Sequence, residues 1–237
     1  MVAASRPVAD GSRAAADDRL AAGLDLDQDI LRGLESADPG NRYLVPYMWG
    51  STGIGYNVEQ VEQHLGADAP LDSWRLLFDP ALAQKLAPCG ISLLDDEVEG
   101  VSAALMYLGK DPNSTDSADI AAAEAALRAI RPHIRYFHSS QYINDLANGD
   151  TCVALGYSGD VLQARNRAEE AGNGVQIAFA IPKEGALLST DVMAIPADAP
   201  NSNSSAADLT IRGELSADAR TFATINGDIS SRTLTTA

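Results

Sequence analysis

The chain is short of cations, histidine and aromatic side chains. Its 237 residues hold 17 Lys and Arg against 33 Asp and Glu, a formal net charge of −16. Such a field repels phosphate backbones and argues against a nucleic-acid binder, and it disfavours an anionic membrane surface for the same reason. His64, His133 and His138 are the only histidines, and none lies at a metal-ligand spacing. Cysteine occurs twice, as Cys89 and Cys152, with no C-x-x-C pair and no Cys/His cluster. Zinc and thioredoxin-like readings fail on that ground, while two buried thiols and one disulfide both stay open. No apolar run approaches the roughly 18–20 residues that a membrane span needs. The N-terminal stretch MVAASRPVADGSRAAADDRLAAG has scattered charges, so no secretory signal is legible in it. Neither a G-x-S-x-G elbow nor a Walker loop is found, and Thr52-Gly53-Ile54-Gly55 lacks the third glycine of a dinucleotide fingerprint. That tetrapeptide reads as a turn or hinge.

What is present is enough apolar residue, 46%, to bury a core. An acidic surface of this size attracts a cationic ligand, although solubility alone is the plainer explanation of net charge. Residues 1–40 are rich in Ala, Asp and Arg and read as a poorly ordered extension, with room for a short helix over 24–34. Residues 199–237, opening near the run ADAPNSNSSAAD, read as a linker-like, partly ordered tail. Between them, 41–198 reads as one lobe. Extended pieces are expected over 44–49 and, after a turn, 53–57. Helices follow over 58–65 and, capped by Asp72-Ser73-Trp74, up to Leu86. A buried strand over 89–95 ends in acids, and helices occupy 101–108 and 117–130, the second stopped by Pro132. A strand over 134–137 leads to a helix capped by Ser139 and reaching Leu146; strand 151–157 leads to helix 160–171. Strands over 175–182 and 191–196 close the series. Alternation of this kind predicts an α/β fold with a mixed, mostly parallel sheet flanked by helices. In such folds ligands sit beyond the carboxyl ends of the strands.

Those ends carry chemistry. Asp95, Asp96, Glu97 and Glu99 follow Leu93-Leu94; Tyr157 and Asp160 follow Val153-Ala154-Leu155; Asp191 opens the last strand. Carboxylates converging beside a phenol suit an ammonium ion, through charge-assisted hydrogen bonds and an aromatic face. Taken singly, each acid has a plainer use, since Asp96 and Asp160 both stand where a helix N-cap would. Asp96 and Glu99 as a hydrolytic carboxylate pair is the best enzyme reading available, and it fails for want of a general acid in a distinct environment. The chain is therefore not expected to be an enzyme, and no cofactor or metal is implied.

The blocks PGNRYLVPYMWGSTGIGYN, YLGKDPNST, RPHIRYFHSSQYINDLANGDTCVALGYSGD and IPKEGALLSTDVMAIPADAPN closely resemble the periplasmic polyamine-binding proteins of ABC importers. The likeness covers about residues 36 to 201 and is nearest to the putrescine and spermidine binders. It implies a lobe of a type II periplasmic binding protein, namely the second lobe with its hinge strands, the first lobe being absent. It also implies a polyamine ligand, an ABC permease as partner and a periplasmic location. Carried over residue by residue, Glu99 matches the second-lobe glutamate near a ligand amine, and Asp96 an extra aspartate of spermidine binders. Tyr157 stands for a stacking tryptophan, Asp160 matches the aspartate three residues later, and Asp191 the aspartate that pairs with an amine. Ser189 stands where an aromatic normally packs. Cys89 and Cys152 match two cysteines that are disulfide-linked in the putrescine-type relatives. With one lobe absent, the implied uptake function is weakened, to millimolar or undetectable binding; the alternative is a truncated lobe that takes no part in transport, serving as an interaction module or without function.

Overall fold

Aspartates write half of the helix starts among the described residues. In the computed structural model, which describes residues 27–194, Asp27 caps α1 (Gln28–Leu34), Asp79 caps α4 (Pro80–Leu86), Asp96 caps α5 (Glu97–Tyr107) and Asp116 caps α6 (Ser117–Ile130). Each carboxylate accepts from free backbone N–H groups of the first turn, which have no partner inside the helix. Asn57 does the same for α2 (Val58–Leu65). The stretch expected to run helical to Leu86 is split. Short α3 (Arg75–Phe78) stops at Asp79, where Pro80 cannot supply the N–H that would continue the turn.

The strands are β1 (Val45–Asn57), β2 (Ile91–Leu93), β3 (Tyr136–Phe137), β4 (Val153–Tyr157), β5 (Ile177–Ala180) and β6 (Leu188–Met193). Helices α7 (Gln141–Asn148) and α8 (Ser158–Ala171) flank β4 in the chain. The sheet order is β3-β2-β4-β1-β5, with β6 pairing on β1. Its pairing is mixed: β2 runs parallel to β3 and β4, and β1 antiparallel to β4 and β5.

Three expectations give way to the structure. Thr52-Gly53-Ile54-Gly55 is no turn; β1 runs unbroken through it. Its glycines serve close approach: a Cβ on Gly53 would stand 2.5 Å from the Phe179 ring, and one on Gly55 2.6 Å from Val161. Nor does Ser139 cap α7. The His138 ring does, its Nδ1 accepting from the backbone N–H of Ser140 at 3.1 Å and of Gln141 at 3.0 Å. The last strand starts at Leu188, three residues ahead of Asp191, because Ser189 and Thr190 are extended too; Ile195 and Pro196 lie outside the described residues. The helix expected within 24–34 is α1.

The chain divides into two compact units, one of Ser51–Leu188 and one holding residues on either side of it. In the larger unit the core is one apolar cluster in which Ile54, Trp74, Phe78, Leu93, Leu105 and Leu146 are buried. Trp74 meets Phe78 edge-on at 6.2 Å, and Phe78 stacks on Tyr107 at 5.7 Å. The Cys89–Cys152 disulfide joins the start of β2 to the start of β4, as the resemblance implied. The segment between β5 and β6 is strapped to α3. Trp74 Nε1 donates to Gly185 O at 2.9 Å, and the Glu184 carboxylate accepts from the Trp74 N–H and the Ser73 hydroxyl. In the smaller unit Asp38 is buried and one of its carboxylate oxygens accepts from the N–H groups of Tyr43 and Leu44.

Candidate functional site

Because β2 and β4 are parallel neighbours, their carboxyl ends open on the same edge of the sheet. The chain leaving β2 turns through Asp95 and Asp96 into α5; that leaving β4 passes Tyr157 directly into α8. Between them this puts Asp96, Glu99, Tyr157 and Asp160 around one place. The phenol of Tyr157 registers the gathering. Its pKa is pushed up to about 12, by burial first and then by the negative charges of Glu99, Asp96, Asp160 and Asp95.

Each residue is held differently. Asp96 is the N-cap of α5, its Oδ1 accepting from Val98 N at 2.9 Å and Glu99 N at 3.1 Å. The cap reading holds for it. For Asp160 it does not: the chain enters α8 without a side-chain cap, and Asp160 sits in the first turn, where its Oδ2 accepts from the Tyr142 hydroxyl at 2.8 Å. Tyr142 is fully buried, and its oxygen also accepts from the backbone N–H of Tyr157 at 3.0 Å. One phenol thus fixes both the candidate acid and the candidate aromatic, and burial raises its pKa far above the tyrosine norm. Gly156 makes room for it, since a Cβ there would lie 2.6 Å from the Tyr142 ring. Asp95 stays outside, exposed, and bonded to the Ser139 hydroxyl, which holds its pKa down.

Glu99 is the group least at rest. Half-buried, its carboxyl has a raised pKa, first from burial and further from the charge of Asp96, against a lowering by the nearby Thr52 hydroxyl. Its Oε2 is buried with no well-formed hydrogen bond, and so is Thr52 Oγ1. Thr52 stands on β1 directly opposite Tyr157 on β4. Thr52 and Tyr142 are the members of the site that sequence reasoning passed over. Thr52 was absorbed in an expected turn, and Tyr142 lay unremarked on an expected helix whose hydrophobic spacing marks a buried face. Asp191 lies in β6, exposed, within the smaller unit. Among the described residues no group of three His, Cys, Asp or Glu is placed to hold a metal ion, and no helix is long and apolar enough to cross a membrane.

Carboxylates gathered near a phenol suit a hydrated or alkyl ammonium better than an anion. The model of the bacterial extracellular solute-binding protein family matches residues 8–225. The chain is 56% identical over 177 residues to the putrescine-binding periplasmic protein PotF of Escherichia coli, covering 74% of this chain and 48% of that protein. It is 52% identical over 176 residues to the putrescine-binding periplasmic protein SpuD of Pseudomonas aeruginosa, again covering 74% and 48%. Among solved structures, the TpPotD lipoprotein Tp0655 of Treponema pallidum superposes with a TM-score of 0.69 at 25% identity, covering 85% of this chain and 59% of that one. A putative spermidine/putrescine ABC transporter protein from Listeria monocytogenes gives 0.68 at 27% identity, covering 85% and 57%. The chain therefore spans about half the length of the curated relatives it matches. Both the family and the relatives are solute binders rather than enzymes. The chain belongs to the bacterial extracellular solute-binding protein family.

Proposed function

We propose that this chain binds a polyamine of the putrescine or spermidine class in the periplasm, as the solute-binding partner of an ABC permease. The observation that supports this most is the ring of Asp96, Glu99 and Asp160 about the Tyr157 phenol. A polyamine is a flexible alkyl chain with an ammonium at each end. It asks for carboxylates set apart along an aromatic or apolar wall. Two curated relatives named for putrescine share more than half of their matched residues with this chain.

The acids here are partly solvated, and half-exposed ion pairs are worth about 0–1 kcal/mol each. Binding by this chain on its own is accordingly expected in about the millimolar range. Titrating putrescine and spermidine into the labelled protein, followed by NMR shifts and thermal melting, tests the reading. Shifts confined to residues near Glu99, Tyr157 and Asp160 support it; no shift and no change in melting at millimolar ligand overturns it. For Asp191 the resemblance alone speaks, and Asp191→Asn is expected to abolish binding.

A second reading rests on a separate observation. Tyr47 and Met48 of β1 are large apolar side chains with 39% and 41% of their surface exposed. Those residues suit an interaction module that takes no part in transport. Sedimentation of the chain across concentrations decides it, since a strictly monomeric protein that binds polyamine leaves no place for this reading.

A further inference from the structure

Several buried oxygens in the larger unit lack a well-formed hydrogen bond, and two of them, on Thr52 and Glu99, lie close together. Thr52 is 1% exposed, yet its Oγ1 has no well-formed hydrogen bond, and neither has the buried Oε2 of Glu99. Native structures leave few such atoms unpaired, because an unmet polar group in the interior costs free energy that a donor would recover. These two are not scattered. Thr52 faces Tyr157 across the β1–β4 ladder, and its hydroxyl is near enough to act on the Glu99 carboxyl. The charges that act on the neighbouring Tyr157 phenol are all acids: Glu99 itself, Asp96 from the start of α5, Asp160 from α8, and Asp95 at the rim. Surroundings of that kind call for a donor that is also a cation.

We propose that Thr52 is a ligand-contacting residue of the polyamine site, its Oγ1 and Glu99 Oε2 together receiving two of the three N–H donors on one primary ammonium head. This rests on the polyamine reading above. A threonine hydroxyl is well suited to the place. It donates its one proton to the carboxylate and still offers lone pairs to the ammonium. The pairing also sets a chemical preference. A primary ammonium brings three N–H groups, whereas a quaternary one brings none and would leave the remaining lone pairs of both oxygens without a donor. Selection for N–H-bearing amines thus resides in β1 as well as in the acids of the helix starts.

The test is a set of NMR titrations on the whole chain. Thr52→Val keeps shape and strand preference but removes the acceptor, and is expected to weaken putrescine binding about tenfold. Thr52→Ser keeps the hydroxyl and is expected to bind within about twofold of the parent, a rescue that a packing role for the γ-methyl would not give. A diamine permethylated at both nitrogens is expected to bind the parent and Thr52→Val alike and weakly. The inference is overturned if Thr52→Val binds putrescine as the parent does, or if Thr52→Ser loses as much as Thr52→Val. Should Thr52→Val not fold, the parent alone decides: equal affinity for putrescine and its permethylated form overturns the role of Thr52. A parent that binds no polyamine overturns the functional reading itself, which is a different result from binding that ignores Thr52.

Discussion

Glu99 shows at the scale of one residue how a binding site trades against stability. Burial, with the charge of Asp96 added, raises its carboxyl pKa above the ordinary value. A group raised in this way contributes most to stability below its unfolded pKa and loses that contribution as pH rises through the folded one. Glu99→Gln is therefore expected to raise the melting temperature at about pH 7.5 and to change it little near about pH 4, where the parent carboxyl is already protonated. Calorimetry at the two pH values checks this. The same substitution is expected to lower polyamine affinity by about tenfold or more, since a charge-assisted bond is lost. Tyr142 works in the opposite sense. Tyr142→Phe leaves the Asp160 carboxylate and the Tyr157 N–H without their shared partner. It is expected to cost about 1–3 kcal/mol, read by urea denaturation.

Among the elements, β1 teaches most. Its sequence looked like two extended pieces around a turn because Gly50, Gly53 and Gly55 are local chain breakers by habit. What keeps the strand continuous is tertiary: the Phe179 ring and the Ala180 carbonyl press against Gly53, and Val161 against Gly55. No window of sequence shows those neighbours. Gly53→Ala is expected to destabilise by about 1–3 kcal/mol through overpacking, visible as a lower denaturation midpoint. Helices were easier to foresee. The spacing of Ile120, Ala123, Leu127 and Ile130 matched α6 from end to end, because amphipathic period and an Asp cap are local signals. Capping was legible for Asp96 and failed at α7 and α8, where His138 took the role from Ser139 and no side chain at all caps the start of α8. The neighbourhood of Asp96, Glu99 and Asp160 was legible, since they follow the ends of adjacent parallel strands. Thr52 was not, because its place follows from cross-strand register rather than from any motif.

For the whole molecule, charge and covalent linkage decide behaviour. With a net charge of −16, the long-range part of any polyamine attraction is screened by salt. Raising NaCl from about 20 mM to about 300 mM is expected to weaken binding several-fold, a dependence a purely apolar pocket would not show. Reducing the Cys89–Cys152 bridge frees the denatured chain and is expected to cost about 4 kcal/mol, measured by denaturation with and without dithiothreitol. Between those cysteines lie β2, α5, α6, β3 and α7. The bridge therefore spans a long excursion whose two ends must meet as adjacent parallel strands. Such meetings are slow to find by diffusion, because chain closure precedes the contacts that reward it. A chain that arrives oxidised has that search already behind it, so its return from urea should outpace that of the reduced protein. The thiol chemistry of whatever compartment receives the polypeptide then acts as a timer on when this half of the sheet takes shape.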